Sequence, residues 1–165
     1  MKKFLKVILL LVIAILIFTF SSQTYEQQSL VPFLQKLLPG EPLGGFLSRF
    51  QIPYWGSTIS VETRGYYYFL EFLIRKFAHL FLFGMLSLAI FSVLMLMKKM
   101  KVWRAMLVAL IGTGIYAAVD EYHQLLTGGR TPLVVDVFLD MAGAVVALAI
   151  YVPIYLISHK GSKRG

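Results

Sequence analysis

The sequence has no cysteine. Disulfides, thiolate nucleophiles and cysteine-ligated metals are therefore excluded. Acidic residues are scarce: eight Asp and Glu stand against sixteen Lys and Arg in 165 residues, with only three histidines. Charge is missing from residues 7–20 and, counting histidine as neutral, from residues 77–97. There is no Gly-x-Ser-x-Gly elbow, no Walker phosphate loop and no His-Glu-x-x-His zinc signature, so no common motif specifies a reaction.

What is present is largely apolar. Hydrophobic residues make up 58% of the chain, and the mean hydropathy is +0.75. That places it among integral membrane proteins rather than soluble domains. A net charge of +8 would suggest nucleic acid in a soluble protein. Here the basic residues flank apolar runs, where they orient a membrane protein, and no nucleic-acid partner is expected.

The apolar runs predict an all-α membrane protein, one domain over residues 1–165. Four transmembrane helices are expected at about 4–20, 66–97, 103–125 and 132–157, joined by a long outer loop at 21–65. The first run is too long for the core of a signal peptide, and Thr19-Phe20-Ser21 is a poor cleavage site, so a retained helix is expected. Within the loop, Leu30, Phe33, Leu34, Leu37 and Leu38 form a helical stripe before Pro39-Gly40-Glu41-Pro42 breaks it. Residues 43–50 have room for a further short turn. These segments read as interfacial helices. A short strand is weakly indicated at 58–61. Tyr54, Trp55, Tyr66, Tyr67 and Tyr68 suit a headgroup-level aromatic belt better than a sugar-stacking platform. Pro132 suits the first turn of the fourth helix.

Lys2, Lys3 and Lys6 precede the first run. Lys98, Lys99, Lys101 and Arg104 lie between the second and third, and Lys160, Lys163 and Arg164 follow the fourth. That is ten of the sixteen basic residues on one side, which predicts both termini in the cytoplasm. His159 belongs to the basic tail, solvated or interfacial.

Depth links the remaining charges. At the helical rise, His79 lies about 27 Å from Met97, Asp120 about 22 Å from Ala105, Asp140 about 25 Å from Ile157 and Ser21 about 25 Å from Phe4. All four helices therefore place polar groups near the same boundary of a hydrocarbon core roughly 30 Å thick. Facing agrees: Lys76, His79 and Phe83 share one stripe, Tyr116, Asp120, His123 and Gln124 another, and Asp136, Asp140 and Gly143 a third. Gly143 and Ala147 permit close helix approach. Three stripes can thus enclose a pocket holding Lys76, His79, Asp120, His123, Gln124, Asp136 and Asp140. Glu121 and Arg75 are expected to point elsewhere in the headgroup zone.

Ser21-Ser22-Gln23, Arg75-Lys76 with His79, Asp120-Glu121 with His123-Gln124, Gly129-Arg130, then Asp136, Asp140 and Gly143 form a pattern that closely resembles the VanZ-like family of small bacterial membrane proteins. The likeness runs from about residue 5 to residue 150. It departs at Gly128, where proline is common, at Asp140, where asparagine is frequent, and at Ala147, where glycine is frequent. The family takes its name from a member linked to low-level resistance to the lipoglycopeptide teicoplanin. The resemblance implies the bacterial cytoplasmic membrane and an envelope context, without naming a reaction.

Four chemistries suit the constellation. Lys76, Arg130, His79 and His123 can neutralise Asp120, Glu121, Asp136 and Asp140 purely to fix helix register. Lys76, Arg130 and Arg75 can hold a phosphate, with the glycine-rich turn before the fourth helix a favourable anion site. On that reading Lys76, His79, Asp120, His123, Gln124, Arg130, Asp136 and Asp140 bind an anionic lipid or a lipophilic envelope ligand, such as a lipid-linked cell-wall precursor or a lipoglycopeptide. His79, Asp120, Glu121, His123 and Asp136 are the candidates for acid–base catalysis on a lipid-linked phosphate or acyl group. Ser21 and Ser22 read as helix-end caps rather than nucleophiles. His79 and His123 with a carboxylate are adequate zinc ligands, but the spacing is not that of a zinc motif; no metal or other cofactor is expected. Nothing in the sequence fixes an oligomeric state.

Overall fold

The computed structural model describes residues 2–54, 56–127 and 134–161. Its elements are α1 (Lys2–Ser21), α2 (Val31–Leu37), α3 (Gly44–Leu47), β1 (Ile52–Tyr54), β2 (Ser57–Ile59), α4 (Val61–Arg64), α5 (Tyr66–Leu94), α6 (Val102–Leu126) and α7 (Val134–Gly161). Pro132 lies outside the described residues. Among those described, four helices are long and apolar enough to cross a membrane: Lys3–Ser21, Tyr66–Leu94, Val102–Leu126 and Val134–His159. Each has the roughly 20 residues that 30 Å of hydrocarbon requires, and a helix satisfies every backbone group within that span internally.

The long helices form a bundle in which α5 is the common partner, packing against α1, α6 and α7. Its closest neighbour is α7. Gly84 and Gly143 face each other there, and a Cβ built on Gly143 would stand 2.1 Å from the Leu80 carbonyl oxygen. Only glycine permits backbones to meet this closely. One apolar core joins Ile13 and Ile17 of α1 to Phe83, Leu86 and Ala89 of α5 and Ala117 of α6. Another, towards the far end, gathers Phe91, Ala105, Ala109, Leu148 and Val152. Large apolar side chains such as Leu11, Ile15, Phe77, Ile111, Ile115 and Ile150 point outward, as a bundle solvated by lipid requires.

The connection from α1 to α5 differs in detail from expectation. The stripe from Leu30 to Leu38 is helical only from Val31, because Thr24 and Gln27 cap one another reciprocally in a preceding turn and Pro32 occupies the first helical turn. The expected strand is half of an antiparallel hairpin, with Ile52 opposite Ile59 and Tyr54 opposite Ser57. It stops at Ile59 because Ser60 and Thr63 form a capping box that starts α4. Tyr66 and Tyr67 donate hydrogen bonds to the Pro42 and Leu38 carbonyls at 2.6 and 3.1 Å, binding this layer to the start of α5. At its other end α5 stops at Leu94 rather than 97. Leu96 and Met97 bond to the carbonyls three residues back, the tighter closing turn that ends many helices.

Candidate functional site

At the end of the bundle carrying the α1–α5 connection, the helices part around a cavity of about 670 Å³. Its apolar floor includes Ile17, Phe72, Leu82 and Phe83, and its polar walls draw on α1, α4, α5, α6, α7, the hairpin and the segment 23–30. The chemistry divides into three clusters.

The first ties the segment after α1 to α5. Glu71, wholly buried, forms an ion pair with Arg75 one turn along the helix. Ser29 donates to the other Glu71 oxygen at 3.3 Å. Arg75 also donates to Gln28 Oε1 and to the Tyr25 carbonyl, each at 3.3 Å, and its guanidinium lies 4.5 Å from the centre of the Tyr25 ring. A charged side chain this deep survives because a carboxylate, two further acceptors and a ring face surround it. Partial burial and the Glu71 carboxylate push the Tyr25 phenol above its ordinary value.

The second joins α5 to α7 and to the hairpin. Lys76 Nζ is 2.5 Å from Asp136 Oδ1, and the Tyr54 hydroxyl donates to the same oxygen. The ammonium also sits 4.6 Å from the Tyr54 ring centre. One turn deeper, His79 Nδ1 lies 3.4 Å from Asp140 Oδ1, at ion-pair distance but without hydrogen-bond alignment. Asp140 is nearly sealed behind the imidazole, while His79 itself borders the cavity.

The third lies on α6. Asp120, 6% exposed, accepts a 2.8 Å hydrogen bond from Gln124. Ser21 of α1 donates to the Asp120 backbone carbonyl at 3.4 Å, holding the two helices in register. Glu121 and Gln124 are buried beside it and line the same cavity. Among the described residues, no three His, Asp or Glu side chains are grouped to hold a metal ion.

The structure thus brings Lys76, His79, Asp120, Gln124 and Asp136 to one cavity, with Asp140 behind His79. Two expectations about facing are corrected. Glu121 and Arg75 are in the cavity wall, not elsewhere. His123 is not: its Nε2 lies 3.1 Å from Ser22 Oγ and its ring packs on Phe18, on the α1 side of α6. Successive helix positions turn by 100°, so one wall accommodates 120, 121 and 124 but not 123. Arg130, with Gly128 and Gly129, lies outside the described residues. Glu71, Tyr25, Gln28 and Tyr54 were not singled out beforehand as site residues. Glu71–Arg75 was findable as an acid four residues before a base on one helix. Tyr54 carried only its aromatic character.

Fold and site together define a four-span membrane protein with a polar, charge-lined pocket at one end of its bundle. The VanZ/LLP1 family model matches residues 5–157. The chain belongs to that family. No curated protein and no solved structure matches it.

Proposed function

We propose that this protein binds an amphipathic molecule of the bacterial cell envelope, with the head in the polar pocket and the apolar portion along its floor. The observation that carries this is the cavity itself. Arg75 and Lys76 stand at adjacent positions of α5 over a floor of Ile17, Phe72, Leu82 and Phe83. Arginine and lysine are the residues that hold phosphate and carboxylate heads, and an apolar floor beside them suits acyl chains. The basic residues clustered at the opposite end support placing the pocket at the outer leaflet of the cytoplasmic membrane, with both termini inside. Lipid-linked cell-wall precursors and lipoglycopeptide tails occupy that leaflet. The family resemblance therefore supports a contribution to teicoplanin-type antibiotic tolerance.

The test is native mass spectrometry of the detergent-purified chain after exposure to a bacterial lipid extract. Retained lipid, reduced in Lys76→Ala, is expected. A protein that retains none refutes the proposal. Teicoplanin susceptibility of cells with and without the protein tests the envelope role separately.

One observation favours a second reading, a membrane-embedded acid–base enzyme acting on a lipid-linked phosphate or acyl group. His79 borders the cavity with Asp140 behind it, the arrangement of a base and its orienting carboxylate. His79→Gln separates the two: binding without change in any product supports the first role, and loss of a lipid conversion with binding intact supports the second. The bare structural role, ion pairs fixing register, predicts instead that matched apolar replacements leave lipid retention and drug tolerance unchanged.

A further inference from the structure

We infer that the head of the bound amphiphile carries a primary amine beside its acidic group, and that Asp120 receives it; this rests on the binding role above. The wall of the cavity holds four carboxylates, Glu71, Asp120, Glu121 and Asp136, against three fixed cations, Arg64, Arg75 and Lys76. Two of those cations are committed: Arg75 to Glu71 and Lys76 to Asp136. Arg64 belongs to the exposed helix α4. Asp120 is 6% exposed and accepts from Gln124. Among the described residues, no lysine or arginine forms an ion pair with it. The imidazoles of His79 and His123 lie near it, but His79 Nδ1 is 3.4 Å from Asp140 Oδ1 and His123 Nε2 is 3.1 Å from Ser22 Oγ.

A buried carboxylate that borders a cavity and has no fixed cation is complementary to a cation arriving with the ligand. A primary ammonium fits better than a bulky quaternary one, because it brings three N–H donors to a site bordered by acceptor oxygens. Arg75 and Lys76, part-exposed in the cavity wall, would face the acidic group while keeping their carboxylate partners. The two ends of a zwitterionic head then meet different helices, acid towards α5 and amine towards α6.

Native mass spectrometry of the full chain with three phospholipids of equal acyl length tests this. Phosphatidylethanolamine has phosphate and amine, N-acetyl-phosphatidylethanolamine has the same skeleton with the amine neutralised, and phosphatidylglycerol has phosphate alone. The amine lipid is expected to be retained about tenfold over both others, the worth of one charge-assisted hydrogen bond. Asp120→Asn, which keeps shape and removes charge, is expected to abolish that preference while phosphatidylglycerol is still retained. Equal retention of all three by the wild-type protein overturns the inference, as does a preference that survives Asp120→Asn. If that variant does not fold, the wild-type comparison of the amine with its N-acetyl form decides alone. Failure of the wild-type protein to retain any of the three refutes the binding role itself.

Discussion

Gly143→Ala tests the tightest contact in the bundle. The new methyl would stand 2.1 Å from the Leu80 carbonyl oxygen and 2.8 Å from its carbon, where ordinary contact begins at 3.4 Å. The neighbour is backbone, so no rotamer change relieves the clash, and α5 and α7 must part by up to about 1.3 Å (3.4 − 2.1). Asp140 lies three residues earlier on α7, already 3.4 Å from His79. The same displacement takes that pair to about 4.7 Å, beyond ion-pair reach. Overpacking of this kind costs about 2–3 kcal/mol. Gly84→Ala makes a built-in comparison on the facing helix. Its methyl would meet Gly143 O at 3.1 Å and the Ala147 methyl at 3.3 Å, a squeeze of tenths of an ångström costing about 1 kcal/mol or less. Reversible unfolding in mixed micelles, followed by circular dichroism, measures both. Gly143→Ala as stable as wild type, or Gly84→Ala the more damaging of the two, refutes the reasoning.

Among the described residues, Lys76→Ala leaves part-buried Asp136 with the Tyr54 hydroxyl alone, so a loss of about 2–4 kcal/mol is expected. In the same unfolding assay, Lys76→Met with Asp136→Leu should recover most of it. Arg75→Ala removes the Gln28 and Tyr25 ties between α5 and residues 23–30 and leaves Ser29–Glu71, so hydrogen exchange at those amides should rise while that of α6 stays unchanged. Tyr116→Phe removes the 2.7 Å hydrogen bond to the Ala14 carbonyl, an acceptor already satisfied within α1, and should cost about 1 kcal/mol.

Legibility varied with the physics of each feature. The long helices were readable because hydrocarbon thickness demands a minimum apolar length, and their ends agree with expectation to within about four residues. The common depth of His79, Asp120 and Asp140 was readable for the same reason, since helical rise converts residue number into height. The small residues at 143 and 147 pointed correctly to a close helix contact. The hairpin was only half visible, because three-residue strands carry no alternation to count.

Sequence alone therefore determined the number of spans, their lengths and the level at which charge gathers. Tertiary structure decided rotation. In a bilayer the lipid-facing and helix-facing sides of a span are both apolar, so hydropathy measures length without fixing which way a side chain points. That is why His123 turned to Phe18 and Ser22 while Glu121 and Arg75 turned into the cavity. Close packing at Gly143, together with the Ser21–Asp120 contact between α1 and α6, sets those rotations. Both join residues far apart in the chain, at distances no periodicity encodes.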